Sequence, residues 1–436
     1  VSRTPIQPDV VVAGGGIAGS AVTAALSQLG YSVLVIEPGL DNARRLAGEL
    51  IHPPGVAKFG ELGLRSCLEE AGGAPVQGFV VSNRMNTQLL PYSEAPGLRN
   101  NNRGLAIEHG RMAAALLGAV SAFPGVTVWR GARVTNLDVS PASHAVVTVS
   151  REGEETRLTP KLVVAADGRN SRLRAFAGIA YSQTHISNML GYLLTGSRLP
   201  SPGFGHVFAG AGAPVLAYEI GRGEIRIMFD VPLDSSGIRP DALAALPAGL
   251  RAHVERAIAT QSPVGAANHA VENDTVFRGR MICAGDSGGC CHPLAATGLS
   301  ACVRDAILLR EALRENRADI PAALLRYAEL RRRPQRTRLV GADLLYRVFS
   351  SETPDMRLVR NGLFRYWQGS ARARAVTMAL LSTQEDRFGV MVREYLNVCR
   401  SALPDLIRGR GMHPSHTRSG VVRGLSRQLI RLVGGR

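Results

Sequence analysis

Three carboxylates stand at the ends of apolar runs in this chain: Glu37 closes YSVLVIE, Asp167 closes KLVVAAD, and Asp286 closes MICAGD. Glycine lies beside two of them, at Gly168 and Gly285. Acids collect at the carboxyl-terminal edge of a parallel sheet because ligands bind there, and they accept hydrogen bonds from sugar or polyol hydroxyls. One such acid is ordinary capping. Three in order, two of them beside glycine, point to a cofactor laid across several strand ends.

The first of these acids belongs to the clearest pattern. VVVAGGGIAGS, residues 10–20, is a branched apolar run that breaks into glycines, followed by helical spacing of Ala18, Ala21, Ala24, Ala25 and Leu29. Gly14, Gly16 and Gly19 form G-x-G-x-x-G, with Ile17 and Ala18 inside it. The first glycine supplies a tight turn and the second lets backbone approach a pyrophosphate at the helix N-terminus. The third lets the helix pack closely on the strand. Glu37 follows at about the spacing at which an acid meets a ribose 2′-hydroxyl. An acid there, rather than an arginine, favours an unphosphorylated ribose, so NAD or the adenosine half of FAD.

Other chemistries find little support. The cysteines, Cys67, Cys283, Cys290, Cys291, Cys302 and Cys399, form no CxxC pair and have no histidines at zinc spacing, so no metal and no disulfide scaffold is expected. A reducing cytoplasm is the simpler home. The formal charge of +16 would suit nucleic acid, but lysine occurs only at Lys58 and Lys161 and aromatics are 5% of the chain. The charge therefore reads as arginine bias, and no nucleic-acid partner is expected. The polar start leaves no room for a signal peptide, and no run approaches 18 uncharged apolar residues, so no spanning helix is expected.

The elements that must position these residues fall into blocks. Residues 9–36 predict strand, helix, strand; a short helix follows from Val56 to Leu64, and EHGRMAAALLGAVSAF predicts a helix with Arg111 in its first turn. VTVWRGARVTNLDV and AVVTVSREGEETRLTP predict antiparallel strands, and KLVVAAD a buried parallel one. From 180 to 270 glycine-punctuated alternation predicts a sheet of strands joined by tight turns, with a helix over 241–259. MICAGD restores the buried strand, and a helix follows from Leu299 to Asn316.

Taken together, GGGIAGS with Glu37, RLAGEL at 45–50, Arg111, ADGRNSRLR at 166–174 and AGDSGGCCHPLAATGLSACVRDA at 284–306 resemble the FAD-dependent aromatic-hydroxylase superfamily of flavoprotein monooxygenases. The resemblance spans residues 9–310. Within it, RLAGELIHPPGV and CHPLAATGL are most similar to squalene epoxidases. It implies an α/β fold with a Rossmann-like FAD-binding domain on a parallel sheet, formed by 1–178 and 273–335. A substrate domain with a mostly antiparallel sheet, 179–272, and a C-terminal helical region, 336–436, would complete it.

The resemblance also assigns roles. Gly14, Gly16 and Gly19 would face the FAD pyrophosphate, Glu37 the adenosine ribose, and Arg45 and Arg111 would flank the dinucleotide. Asp167 and Gly168 match the pair associated with FAD and the passing NADPH or NADH. Asp286 matches the aspartate on the ribityl chain, Pro293 the proline beside the isoalloxazine, and Gly298 and Leu299 the loop at the flavin pyrimidine. The implied reaction takes NAD(P)H and O2 through a flavin C4a-hydroperoxide to an epoxide or hydroxyl on a hydrophobic polyene, prenylated or polyketide-type molecule. A separate flavin reductase is compatible with it.

The chain departs from the family in Ser287-Gly288-Gly289, where Ala-Ala-His is common, and in Ala295, where glycine is expected. His292 would bracket the flavin face, donate to the peroxide, or hold the loop through a hydrogen bond. Three alternatives share the dinucleotide half: a reductase of prenyl double bonds, whose motif also takes glycine as in GDSGG, a flavin-dependent halogenase, which needs a lysine near the substrate, and a non-catalytic FAD-binding protein. In the tail, Val421, Leu425, Leu429 and Val433 repeat at helical spacing against Arg423, Arg427 and Arg431. That is the pattern of a helix on an anionic bilayer surface or on the protein's own core.

Overall fold

The computed structural model describes residues 7–39, 46–83, 85–98, 103–209 and 212–408. Its central sheet runs in the order Phe277–Arg278, Met281–Cys283, Leu162–Ala165, Val10–Ala13, Val33–Glu37, Val126–Arg130. All neighbours are parallel except the first pair. The four inner strands are buried at every position, as strands covered on both faces must be. Alternate side chains sort to opposite layers. Val10, Val12, Val33 and Val35 pack under the helices Ile17–Ser27, His109–Ser121 and Gly298–Glu315, whereas Val11, Ala13, Leu34 and Ile36 pack on an antiparallel unit.

That unit comprises Ala132–Asp138, Val146–Arg151 and Glu154–Leu158. Val126–Arg130, expected from its alternation to join it, instead pairs parallel with Val33–Glu37. The alternation reflects a half-exposed edge strand, and Gly131, at φ +68°, turns the chain out of the sheet immediately after it.

The second sheet has seven strands, in the order Val264–Asn273, Tyr181–Thr195, Glu224–Pro232, Val215–Gly221, Gly205–Phe208, Gly78–Ser82, Thr87–Pro91. It is antiparallel except where Gly205–Phe208 lies parallel to Gly78–Ser82. Its last two strands come from ahead of residue 178. On one face lie Pro240–Ala244 and Ala248–Thr260, two helices split at Pro247 where the sequence predicts one. On the other lie Ile320–Ser350, a 31-residue helix that runs through Pro334, together with Pro354–Gly369, Ala371–Leu381 and Phe388–Arg408. Among the described residues no helix is long and apolar enough to cross a membrane. The basic repeat at 421–433 lies outside them.

The first layer closes through missing side chains. A Cβ on Gly19 would sit 1.7 Å from the Gly14 carbonyl oxygen, and one on Gly14, at φ +104°, would sit 2.4 Å from that of Ala166. Gly19→Ala is therefore expected to lower the unfolding free energy by about 1–3 kcal/mol through overpacking. Urea denaturation followed by circular dichroism would measure it, and an unchanged midpoint would contradict this account of the packing.

Candidate functional site

At the N-terminus of Ile17–Ser27 the backbone is open to a ligand. Gly16 caps the helix in an extended conformation without any side-chain cap, and a Cβ on it would meet nothing within 4 Å. No side chain caps the first N–H groups of the helix, the arrangement that receives an anion. Ile17 and Ala18 are buried beneath this turn. Glu37, 6% exposed, stands next to it: Oε2 accepts from the Gly15 N–H at 2.6 Å and Oε1 from the Gly39 N–H at 2.8 Å. A Cβ on Gly15 would lie 3.1 Å from Oε2. Glycine at that variable position thus serves the acid, a role the spacing alone does not reveal.

The other two strand-end acids converge on the same edge. Asp167 lies beside Gly14, and its Oδ2 accepts from the N–H groups of Arg172 and Leu173 at 2.8 and 3.2 Å. Its Oδ1 is buried with no partner, and burial pushes the carboxyl above the usual range. Gly168 follows at φ +82°. Asp286 sits in the turn Gly285–Gly288. Gly285 brings that turn against the first helix, where a Cβ would lie 2.7 Å from that of Ala18.

A buried frame holds this turn. Asp305 Oδ2 accepts from the Gly285 N–H at 2.9 Å, and Asp305 Oδ1 pairs with Arg331 Nε at 2.9 Å. Arg331 also donates to the Gly288 carbonyl, Tyr327 to that of Cys283, and the fully buried Arg174 to that of Ser287. Tyr327 and Arg331 give no signal in sequence, because each serves a carbonyl far away in the chain, whereas Arg174 and Asp305 lie within ADGRNSRLR and AGDSGGCCHPLAATGLSACVRDA.

Gly298 begins the helix Gly298–Glu315 with open space where a Cβ would be, and Leu299 packs against Gly48. Arg111 points to the second sheet, where Nη2 donates to Glu224 Oε2 at 2.9 Å and to the Ile220 carbonyl at 3.2 Å; its Nη1 is buried and unpartnered. Arg45 lies outside the described residues. The open helix end and the unpartnered Asp167 Oδ1 and Arg111 Nη1 supply donors and an acceptor that fit the pyrophosphate and hydroxyls of a dinucleotide.

The loop after Asp286 is clamped from two sides. On one, Leu294 N–H donates to His292 Nδ1 at 3.2 Å, so Nε2 carries the hydrogen and reaches Asp230 Oδ1 at 3.2 Å. Asp230 also accepts from Ser187 at 2.5 Å and from Tyr346 at 3.0 Å, whose ring stacks on the imidazole at 3.9 Å. Of the three roles open to His292, this geometry favours holding the loop, since both ring nitrogens are engaged and the residue is 2% exposed. On the other side, His52 Nε2 donates to the Ala295 carbonyl at 2.9 Å, which leaves Nδ1 to accept from the Tyr92 hydroxyl at 2.7 Å. Pro293 starts the short turn Pro293–Ala295 between the clamps, with Ala296 left-handed at φ +50° where the family expects glycine nearby.

Deeper in, Glu49 and Arg226 form a buried ion pair at 2.9 Å, with Tyr218 donating to Glu49 at 3.4 Å. A cavity of about 150 Å³ opens between Ala295, Thr297 and the C-terminal helices, walled by Leu344, Leu345, Val359 and Leu363. A smaller one of about 30 Å³ lies between Phe79, Val81 and Val207 of the sheet and Phe349 and Trp367. Ala295, Leu345 and Leu381 line both.

A parallel sheet with an open glycine turn, joined to a second sheet roofed by helices around apolar cavities, defines a flavoprotein monooxygenase. The fold matches OxyS anhydrotetracycline hydroxylase from Streptomyces rimosus with a TM-score of 0.67 at 18% identity, covering 87% of this chain and 76% of that one. Residues 159–417 match the squalene epoxidase family model, and the chain belongs to that family. It is similar to squalene epoxidase erg1 of Aspergillus fumigatus, 28% identical over 381 residues, which cover 83% of this chain and 79% of that protein. It is likewise similar to squalene monooxygenase of Mus musculus, 27% identical over 419 residues, covering 90% and 71%. The protein is an FAD-dependent monooxygenase.

Burial gives the clamp a pH signature. It pushes the imidazoles of His52 and of the buried His206 down to about 4. Because the folded value lies below the unfolded one of about 6.5, each contribution is complete above pH 6.5 and is lost as the pH falls towards 4, by on the order of 3 kcal/mol. Urea titrations at pH 7.0, 5.5 and 4.5 should show falling stability, with a shallower fall in His52→Gln. Equal slopes for the two proteins would remove His52 from the account.

Proposed function

We propose that the enzyme uses NADPH or NADH and O2 to epoxidise or hydroxylate a hydrophobic small molecule. The observation that carries this reading is the pair of apolar cavities meeting at Ala295, on the loop that bears Pro293 and between the two histidine clamps. FAD, when bound, supplies the redox chemistry and the activation of oxygen.

The chain's own residues bind, orient and exclude water. Gly16 and the N–H groups after it would take the pyrophosphate, Glu37 the adenosine ribose, and Asp286 the ribityl chain. Its carboxylate accepts no hydrogen bond from the described side chains or backbone that would compete for this role. Pro293, Gly298 and Leu299 would border the flavin, and Arg111 Nη1 and Asp167 Oδ1 offer a donor and an acceptor to groups entering from solvent. Asp167 and Gly168 would border the path of the nicotinamide cofactor. His292 acts as a positioning residue, since it holds Leu294 and through it the cavity wall. Removing water from such a wall favours transfer of oxygen to an apolar carbon.

The purified protein is expected to be yellow, to bleach with NAD(P)H without oxygen and to recolour when air is admitted. Gly16→Val has room to fold but obstructs the pyrophosphate, so it should keep the native melting behaviour and lose most of its flavin. Normal FAD content in that variant would defeat this placement. Product formation from a polyene without oxygen consumption would instead indicate a prenyl-chain reductase.

We also propose that the basic segment 421–433 meets an anionic bilayer, where a hydrophobic substrate dissolves. Leu403 and Ile407, 47% and 69% exposed, add apolar surface on the last described helix, Phe388–Arg408. The full chain should sediment with anionic vesicles at low salt, and a chain ending at Arg418 should sediment much less. Equal sedimentation of the two would contradict the proposal.

A further inference from the structure

Charge is unevenly matched around the larger cavity. Three carboxylates line it, and each is answered by an arginine outside the lining: Glu385 by Arg387 at 2.5 Å, Asp386 by Arg333 at 3.0 Å and Glu394 by Arg393 at 3.1 Å. Tyr366 also donates to Glu394. Two guanidiniums line the cavity as well, Arg304 and Arg338, and among the described residues neither has a carboxylate within salt-bridge distance.

What holds these two side chains is neutral. Arg304 Nη2 donates to the Thr383 carbonyl at 2.6 Å. Arg338 Nη2 donates to the Gly289 carbonyl at 3.0 Å and to Gln335 Oε1 at 2.9 Å, and the residue is 7% exposed. Burial pushes the Arg304 guanidinium below its ordinary value; Asp386 and Asp305 offset this from a distance, and the charge of Arg338 adds to it. A buried guanidinium and a half-buried one that feel each other's charge over neutral acceptors are costly to hold, and a planar anion relieves that cost. Away from them the wall is apolar, with Leu344, Leu345, Val348, Val359 and Leu363.

We propose that this cavity binds an apolar carboxylic acid, its hydrocarbon body among the C-terminal helices and its carboxylate met by Arg304 and Arg338. Guanidinium forks suit a carboxylate, and hydrogen bonds to it are charge-assisted. At about 150 Å³ the cavity is of the size that accepts a small hydrocarbon. As the substrate class of the enzyme, the acid rests on the monooxygenase reading; its binding does not.

The test compares decanoate with 1-decanol at pH 8, titrated calorimetrically into the flavin-loaded protein. Decanoate should bind at least about tenfold tighter than decanol. Arg304→Gln should bring the two within about twofold by weakening decanoate alone, and Leu363→Trp, which fills the cavity, should weaken both. Arg338→Gln would act likewise, but because Arg338 also holds the Gly289 carbonyl, Arg304→Gln is the deciding variant. Equal affinities in the unmodified protein overturn the proposal. So does a preference for decanoate that survives Arg304→Gln, or an affinity for decanoate that Leu363→Trp leaves unchanged. These constants are read at equilibrium, whereas missing flavin or missing oxygen consumption would count against the monooxygenase reading instead.

Discussion

Three glycines let the chain close on itself at the carboxyl-terminal edge of the parallel sheet, two of them backbone on backbone and the third against a single methyl group, and the rest of the site depends on those contacts. Gly14 lies on the Ala166 carbonyl, Gly19 lies on Gly14, and Gly285 lies on Ala18. The first helix is thereby pressed against both neighbouring strand ends, which sets Glu37, Asp167 and Asp286 along one edge. A single methyl group at any of the three would part the layers. The buried Asp305–Arg331 pair then fixes the third strand end from behind, so that the edge is held from both sides.

The loop from Cys290 to Thr297 joins this edge to the cavities, and two imidazoles hold it. His292 ties it to Asp230 in the second sheet, and His52 ties Ala295 to Tyr92 near the sheet's far edge. Cys290 exchanges backbone hydrogen bonds with Val271, which fastens the loop's start to the strand Val264–Asn273. The wall shared by both cavities is therefore a segment fastened to the second sheet at several points.

Much of this was legible before any coordinates. The inner strands could be recognised because full burial demands unbroken apolar residues, and the glycine turn because its spacing follows from backbone contact. The pairing of Val126–Arg130 is not legible in its alternation, since an edge strand alternates whichever direction its neighbour runs. Glu49 and Arg226 were invisible as a pair, being separated by most of the two domains, and His52 gave no periodic signal at all. Arg304 and Arg338 read as ordinary helix surface among many arginines; only the folded arrangement shows which arginines have a carboxylate and which do not.

The order of pairing in the parallel sheet also governs how the chain is made. Leu162–Ala165 acquires its neighbour Met281–Cys283 only after five strands of the seven-stranded sheet have been synthesised between them. Until then an apolar strand edge stands open on the ribosome, and such unpaired edges associate with one another. The last strand of the sheet brings Asp286 with it, and the helix that covers it, Gly298–Glu315, follows within a few residues. The nascent protein thus cannot assemble its nucleotide cradle from the N-terminal half alone, and chaperone demand during translation should be greatest just before that strand emerges.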